Sequence, residues 1–166
     1  MRPFTIISAF FAVAIQPTLA APITDTIPSS LLLERATAPP PCKRVLDPAP
    51  TANETAARFN TFVQAFVGAQ GGKKNITKAF EYIAEDYINH NPLAKNGAAS
   101  AWSILSPIWQ QTSHTYLRST IKSEQSPVMS WVNYRAGGIG EVVDRFRWEG
   151  GCIVEHWDQG EKYPSS

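Results

Sequence analysis

The feature that most constrains the fold is a change in hydrophobic period near Ser113. Before that point apolar residues recur at helical spacing in three segments, and after it they alternate with polar residues in four runs separated by short turns. Helices followed by strands predict an α+β domain in which the helices cover one face of an antiparallel sheet of four or more strands. A chain of 166 residues is long enough for one such domain and too short for two ordinary ones.

The three helical segments have recognisable limits. Thr51 and Glu54 have the spacing of a capping box, which predicts a first helix that begins there and ends near residue 69. A second helix is predicted from Ile76 to about residue 84, where its apolar spacing ends. A third is predicted over about 98–110, and Pro107 should kink or shorten it.

Residues 1–20 resemble a secretion signal, with Arg2 at the positive end and an apolar run of about a dozen residues before a small-residue cleavage site. That run is shorter than the roughly 20 residues that a membrane-spanning helix needs. We therefore predict a secreted protein with no membrane span after processing. Residues 21–50 are rich in proline and are predicted to be a leader or extended arm, 51–160 the folded domain, and 161–166 a tail.

Two surface properties follow from composition and short motifs. Asn53 and Asn75 each begin an N-glycosylation sequon, which a secreted chain can use where the site is exposed. The net charge is +1, with acids and bases interspersed. Because no basic surface is indicated, nucleic acid is not an expected partner.

Cys42 and Cys152 are the only cysteines, and an oxidising compartment favours their pairing. We predict a disulfide between them, which would close a loop of about a hundred residues and reduce the freedom of the unfolded chain. Two free buried thiols are one alternative. In another, Lys43-Arg44 is a dibasic processing site, and cleavage there would remove Cys42 from the domain.

A β-hairpin is predicted over 140–159, and its register depends on the length of its loop. A three-residue loop with Gly at the third position sets Arg145 against Glu155, so that opposite charges meet on the outer face. A two-residue loop would set Arg145 against His156 and lose that pairing. We therefore predict the three-residue loop, 149–151.

In this register Asp144 lies opposite His156, and both share the apolar face of the hairpin with Asp158. Directly opposed Cβ atoms are about 4.5 to 5.5 Å apart, which allows a hydrogen bond between the two side chains. Burial should raise the pKa of the Asp144 carboxyl, and an adjacent imidazolium should lower it. Such groups are candidates for proton transfer near neutral pH, although a purely structural Asp144–His156 pair is the alternative.

A second polar cluster, 87–92, follows the predicted second helix. Asn89 and the proline that ends the cluster have an ordinary interpretation as capping and turn residues. Tyr87 and His90 do not follow from capping. If the helices cover the inner face of the sheet, this segment lies against the open end of the sheet.

The ordered motifs YINHNP, VVDRFR and IVEHWD resemble the SnoaL-like polyketide cyclases of the ketosteroid isomerase and nuclear transport factor superfamily. The match spans roughly 55–158. The resemblance implies a cone-shaped barrel, in which a curved antiparallel sheet wraps a deep apolar pocket. It also implies acid/base catalysis with no metal or organic cofactor.

The motif positions of that family fall on six residues of this chain, which are Tyr87, Asn89, His90, Asp144, His156 and Asp158. The resemblance suggests that Asp144 or Asp158 removes a proton α to a carbonyl group, while His156 orients Asp144. His90, Tyr87 and Asn89 would hold the enolate oxygen.

Other positions differ from the family pattern or add to it. Asn89 replaces the glutamine of many members, and Asn133 stands on a strand where active relatives place an acid or histidine. We predict Tyr87, Asn89 and Asn133 as substrate-binding residues. Trp102 joins them, as one of five tryptophans that could stack on a flat ligand.

We therefore predict a secreted, cofactor-independent cyclase or isomerase of a small apolar polyketide-like or terpenoid carbonyl compound. His90, His114 and His156 lack a paired ligand spacing, so no metal site is predicted. One alternative is a non-catalytic module of the same fold, which binds a small apolar ligand or forms a homodimer through its open sheet face. Another is a secreted effector that binds a host protein.

Overall fold

The computed structural model of the protein describes residues 37–165. The predicted signal segment and most of the predicted leader lie outside these residues. The elements are helices α1 (Ala52–Val67), α2 (Ile76–Phe80) and α3 (Ala98–Leu105), a short 3-10 turn (Ala69–Gly71), and strands β1 (Ile83–Asn89), β2 (His114–Lys122), β3 (Val128–Ala136), β4 (Gly140–Glu149) and β5 (Cys152–Trp157). None of the helices within 37–165 combines the length and apolar character that crossing a bilayer requires.

Helix α1 begins and ends with the local signals that its sequence contains. Thr51 and Glu54 form the predicted capping box, each side chain accepting a hydrogen bond from the other residue's backbone N–H. The helix ends at Gly68, which has a positive φ of 73°, a conformation that glycine adopts without strain. Its buried face presents Phe62 and Phe66 to the sheet, with the ring centroid of Phe62 5.1 Å from that of Phe146.

The predicted second helix is wrong beyond Phe80. Ile83 and Ala84 belong to β1, which runs parallel to β5 and pairs Asn89 with His156. A short apolar run fits a helix or a strand equally well by spacing alone, and here the pairing with β5 decides. The third helix ends at Leu105, so the predicted shortening before Pro107 is confirmed.

The sheet has five strands in the order β1-β5-β4-β3-β2. Its four later strands are antiparallel, as predicted, but the parallel pairing of β1 with β5 makes the sheet mixed. The α+β class is therefore confirmed. Among the described strands, β1 and β2 each have one neighbour and form open edges, so the predicted cone-shaped barrel is not confirmed.

The loop predicted for the β4–β5 hairpin is one residue too long. Glu149 pairs with Cys152, and the two loop glycines, Gly150 and Gly151, have positive φ values of 57° and 78°. Two consecutive positive φ values are typical of the two-residue turns that close hairpins. A Cβ atom at Gly150 would also lie 2.9 Å from the backbone of Val45, so the arm packs directly on this turn.

A bulge in β5 restores the predicted face despite the different loop. Val154 has no partner in the ladder, so the pairing shifts and Phe146 faces His156. Because alternate residues share a face, Asp144 still projects to the same side as His156. On the outer face Glu155 pairs with Arg147 instead of the predicted Arg145.

The predicted disulfide between Cys42 and Cys152 is confirmed, with Cα atoms 5.8 Å apart. It joins the arm to β5, and the Cys42 N–H donates a hydrogen bond to the Ile83 carbonyl at 2.8 Å. The arm next to the disulfide therefore packs as part of the domain. The sequon residues Asn53 and Asn75 are both exposed, and Asn75 also caps α2.

Candidate active site

A cavity of about 900 Å³ is lined by residues of β2, β3 and β4 and by the segments that follow β1, α3 and β5. Leu105, Trp109 and Val142 belong to its apolar wall. Asp144 and Asp158 are among the titratable residues that line it. A mostly apolar cavity with a few convergent polar groups is the usual form of a small-molecule site.

Asp144 is the buried acid of this cavity, with 3% of its surface exposed. Its Oδ2 accepts a hydrogen bond from the Tyr134 hydroxyl at 2.9 Å, and its Oδ1 lies 3.0 Å from Nε2 of His156. The predicted contact between Asp144 and His156 is therefore present. Each carboxylate oxygen has two lone pairs, so both can still accept a further hydrogen bond.

The hydrogen bonds of His156 determine where its protons lie. Its Nδ1 is 3.3 Å from Oδ1 of Asn89, and the same oxygen accepts the Asn91 N–H at 3.0 Å. Because that oxygen only accepts, Nδ1 of His156 carries a proton. The contact between Nε2 and Asp144 needs a second proton, which resides either on the imidazole or on the carboxyl group. Asp144 and His156 thus share one transferable proton.

Asp158 lies at the same cavity but is less buried. Its Oδ2 accepts a hydrogen bond from Nδ2 of Asn91 at 2.6 Å, and its Oδ1 accepts the N–H of Gln159 at 2.6 Å. Unlike Asp144, it has no hydrogen bond with a histidine in the described part of the chain. It is a second aspartate within reach of a ligand, and Glu141 and Glu161 also line the cavity.

Asp144, His156 and Asp158 also have a spacing that a cation could bridge, which sequence spacing alone did not indicate. One potential ligand atom from each lies within 4.8 Å of the others, and carboxylates with an imidazole suit several divalent metals. In this structure the facing atoms of Asp144 and His156 contact each other, and Asp158 has hydrogen-bond donors at both oxygens. The shared proton explains the contact between Asp144 and His156, and ordinary N–H donors explain the contacts of Asp158.

Two buried tyrosines surround the pair. The ring of Tyr87 lies nearly parallel to that of His156, with centroids 6.3 Å apart. Burial, together with the charges of Asp144 and Asp158, raises the pKa of both Tyr87 and Tyr134 well above 10. Both hydroxyls therefore stay protonated and can only donate or accept hydrogen bonds.

Tyr134 was missed by the sequence reasoning, which selected its neighbour Asn133. Side chains alternate along β3, so Tyr134 reaches Asp144 and Asn133 points to the other face. There Asn133 donates to Glu141 and accepts from Arg118, at 3.0 and 3.1 Å. Alternation along β3 indicates which of its residues share a face. It could have identified Tyr134 as the partner of Asp144 only if the β3–β4 register had been known.

The structure places His90 and Trp102 away from Asp144. The Nε2 atom of His90 is 3.1 Å from Glu155 Oε2, and its ring stacks on Trp157 with centroids 4.4 Å apart. This contact lies on the outer face, because β1 is a strand and neighbouring residues alternate between faces. Trp102 is buried against Phe80, with ring centroids 5.0 Å apart, and does not line the cavity.

His114 lines the cavity, although its position in the sequence indicated no role in the site. Its ring lies between Trp109 and Tyr134, with centroid distances of 4.2 and 5.5 Å. Burial, followed by the neighbouring Lys74, lowers the pKa of His114 to about 4. The ring is therefore uncharged at neutral pH.

Residues 161–163 of the predicted C-terminal tail form part of the cavity wall. Glu161 makes an ion pair with Arg145 at 3.0 Å. The ring of Tyr163 lies under the guanidinium of Arg118, 4.2 Å from centroid to carbon. These contacts hold the C-terminal residues next to Asp158.

Comparison with known proteins identifies no family. No protein-family model matches the sequence, and no curated protein matches it significantly. Two solved structures resemble this one distantly. AclR of Streptomyces galilaeus, a candidate hydroxylase, has 15% identity and a TM-score of 0.45 over 65% of this chain and 89% of its own. TsrD of Streptomyces laurentii has 14% identity and a TM-score of 0.44 over 64% of this chain and 87% of its own. Likenesses at this level carry no functional conclusion.

Proposed function

We propose that the protein is a secreted, cofactor-independent cyclase or isomerase that transfers a proton on a small apolar carbonyl compound of polyketide-like or terpenoid type. The observation that carries the proposal is the buried Asp144, which lines the cavity and shares a proton with His156 at 3.0 Å. The Cys42–Cys152 disulfide supports the secreted setting.

The reaction begins when Asp144, in its ionised form, takes a proton from the carbon α to the carbonyl group. The C–H bond breaks, its electron pair forms an enolate, and the proton remains on the Asp144 carboxyl group. His156, as the imidazolium, balances the charge of the carboxylate before this step. After the step the Asp144–His156 pair carries one net positive charge and the enolate one negative charge. Return of the proton to another carbon gives isomerisation, and attack of the enolate carbon on a second carbonyl gives cyclisation.

Asp158 is the second candidate base, since it lines the same cavity. A pair of carboxylates with different burial can divide the work of taking and returning a proton. Tyr87 and Tyr134 remain protonated, so they contribute hydrogen bonds and not proton removal. This leaves the two aspartates as the groups to test.

The test uses exchange of the α-protons of 2-tetralone, an apolar ketone, in deuterated water, measured by NMR. We expect the protein to accelerate exchange and Asp144→Asn to reduce the acceleration about 10²- to 10⁴-fold, the usual contribution of a positioned acid or base. Asp158→Asn should reduce it less. Thermal melting of each variant controls for folding. Unchanged exchange in both variants would contradict the proposal.

A non-catalytic binding module is the second candidate, and the hydrogen bonding of the pair favours it. Tyr134 and Asn89 occupy the remaining sides of the Asp144–His156 pair, so the pair is satisfied without any substrate. In that case His156→Ala should destabilise the protein, and no ketone should show pH-dependent exchange. The same cavity would then serve only to hold an apolar ligand.

A further inference from the structure

We propose that His114 is an uncharged N–H donor that binds an oxygen atom of the ligand in the cavity. The inference deepens the proposed function and rests on it for the carbonyl nature of the ligand. Its basis is the hydrogen bonding of the His114 ring, which differs from that of the other two histidines. Those two each contact a carboxylate, whereas the His114 ring contacts an ammonium group and the backbone of Thr112.

Lys74 determines which nitrogen of His114 carries the proton. Its Nζ donates to the carbonyl oxygens of Trp109, at 3.0 Å, and of Thr112. The third contact of Nζ is with Nδ1 of His114, at 2.9 Å. An ammonium group has three donors and no acceptor, so Nδ1 must accept. The proton of the neutral ring therefore lies on Nε2.

The Nε2 atom of His114 is buried and has no acceptor among residues 37–165. A buried donor without a partner is destabilising, and such atoms are uncommon in folded proteins. The ring belongs to the wall of the cavity that also contains Asp144 and Tyr134. An oxygen of a cavity ligand is the acceptor that this arrangement lacks. Since Nε2 is itself covered, the surrounding wall must move for the contact to form.

An uncharged donor suits the proposed chemistry. The low pKa of His114, caused first by burial and then by Lys74, keeps the ring uncharged at neutral pH, so it has no imidazolium proton to transfer to the enolate. A neutral imidazole N–H can instead stabilise developing negative charge by a hydrogen bond, while Asp144 handles the transferred proton. The two side chains thereby have separate roles toward one ligand.

The experiment compares two ligands of similar shape, 2-tetralone and tetralin, which differ by the carbonyl oxygen. Affinities are measured by quenching of tryptophan fluorescence in the whole chain. We expect the ketone to bind about tenfold more tightly than the hydrocarbon, as a neutral hydrogen bond provides. His114→Phe should abolish that difference, and His114→Gln, which keeps a donor, should restore part of it. An equal difference in the wild type and in His114→Phe would overturn the proposal, and so would the absence of any difference in the wild type.

A second measurement needs no variant. The Nε2–H resonance of His114 in a long-range proton–nitrogen spectrum should shift when 2-tetralone is added and stay in place with tetralin. No shift with the ketone would overturn the proposal.

Binding and exchange separate the two ideas: if Asp144→Asn leaves exchange unchanged while the ligand difference depends on His114, only the proposed reaction fails. If exchange depends on Asp144 and the ligand difference does not depend on His114, only the present inference fails.

Discussion

The two faces of strand β5 carry histidine–carboxylate pairs of nearly equal length in different surroundings. On the inner face His156 lies 3.0 Å from Asp144, with side-chain exposures of 13% and 4%. On the outer face His90 lies 3.1 Å from Glu155, with exposures of 39% and 18%. Glu155 also binds Arg147 at 2.6 Å, so its charge is already neutralised by an arginine. The distance between histidine and carboxylate therefore does not distinguish the two pairs. They differ in burial, and only the inner pair has a carboxylate that lines the cavity.

The largest difference between the faces should be in catalysis. We expect His156→Gln to reduce α-proton exchange of 2-tetralone by about 10- to 100-fold, because Asp144 loses the partner that shares its proton. His90→Gln is the matched control on the outer face and should leave exchange within about twofold of the wild type. Equal losses in the two variants would remove the distinction between the faces.

Stability should show a smaller difference. Tyr134→Phe removes the donor to Oδ2 of the buried Asp144, which should lower the free energy of unfolding by about 1 to 3 kcal/mol. His90→Ala removes a solvent-exposed contact and should lower it by less than about 1 kcal/mol. Urea denaturation of both variants measures the comparison. A Tyr134→Phe protein as stable as the wild type would show that the inner pair does not depend on this hydroxyl.

The pH dependence of stability should also separate the faces. The unfolded His114 ring protonates near its ordinary pKa of 6.5, whereas its folded pKa is about 4. The contribution of the neutral His114 ring to the free energy of unfolding is therefore complete above pH 6.5 and is lost as the pH falls toward 4. On the outer face the pKa of Glu155 is lowered from 4.5 by hydrogen bonds from His90 and Arg147, which together outweigh burial. The contribution of the ionised Glu155 to the free energy of unfolding is complete above pH 4.5 and is lost only below it.

Melting temperatures of the wild type and of His114→Gln between pH 6.5 and 4.5 therefore measure the contribution of His114 by difference. We expect the wild type to lose stability over this window and His114→Gln to lose less. Glu155→Gln should retain the slope of the wild type, since Glu155 stays ionised throughout the window. A slope in His114→Gln as steep as that of the wild type would contradict the assignment.

Local signals explain which parts of the fold could be predicted from sequence. The capping box at Thr51, the alternation of β2 to β5 and the pairing of the two cysteines each depend on neighbouring residues or on a count. The strand β1 has no such local signal, because its apolar residues fit a helix as well as a strand and only the pairing with β5 decides between them. Ending the helix near residue 84 and leaving 87–92 as a polar segment also grouped His90 with Tyr87 and Asn89 at the predicted site, whereas strand alternation directs Asn89 inward and His90 outward.

The hairpin shows that a correct face can follow from a wrong register. The loop is one residue shorter than predicted, and the bulge at Val154 adds one unpaired residue to β5. Together they shift the pairing of Asp144 by two residues, and a shift of two keeps a side chain on its face. Bulges leave no clear local signal, so the face of Asp144 could be predicted and its direct partner could not.

The measurement that bears most directly on the shared proton is the nitrogen NMR spectrum of the histidine rings at neutral pH. For His156 we expect a protonated Nδ1, bound to Asn89, and a second hydrogen-bonded proton between Nε2 and Asp144 that is altered in Asp144→Asn. His90 in the same spectrum is the internal reference and should not respond to that substitution. An unprotonated Nδ1 in His156, or a His156 spectrum unchanged by Asp144→Asn, would contradict a proton shared between these two side chains.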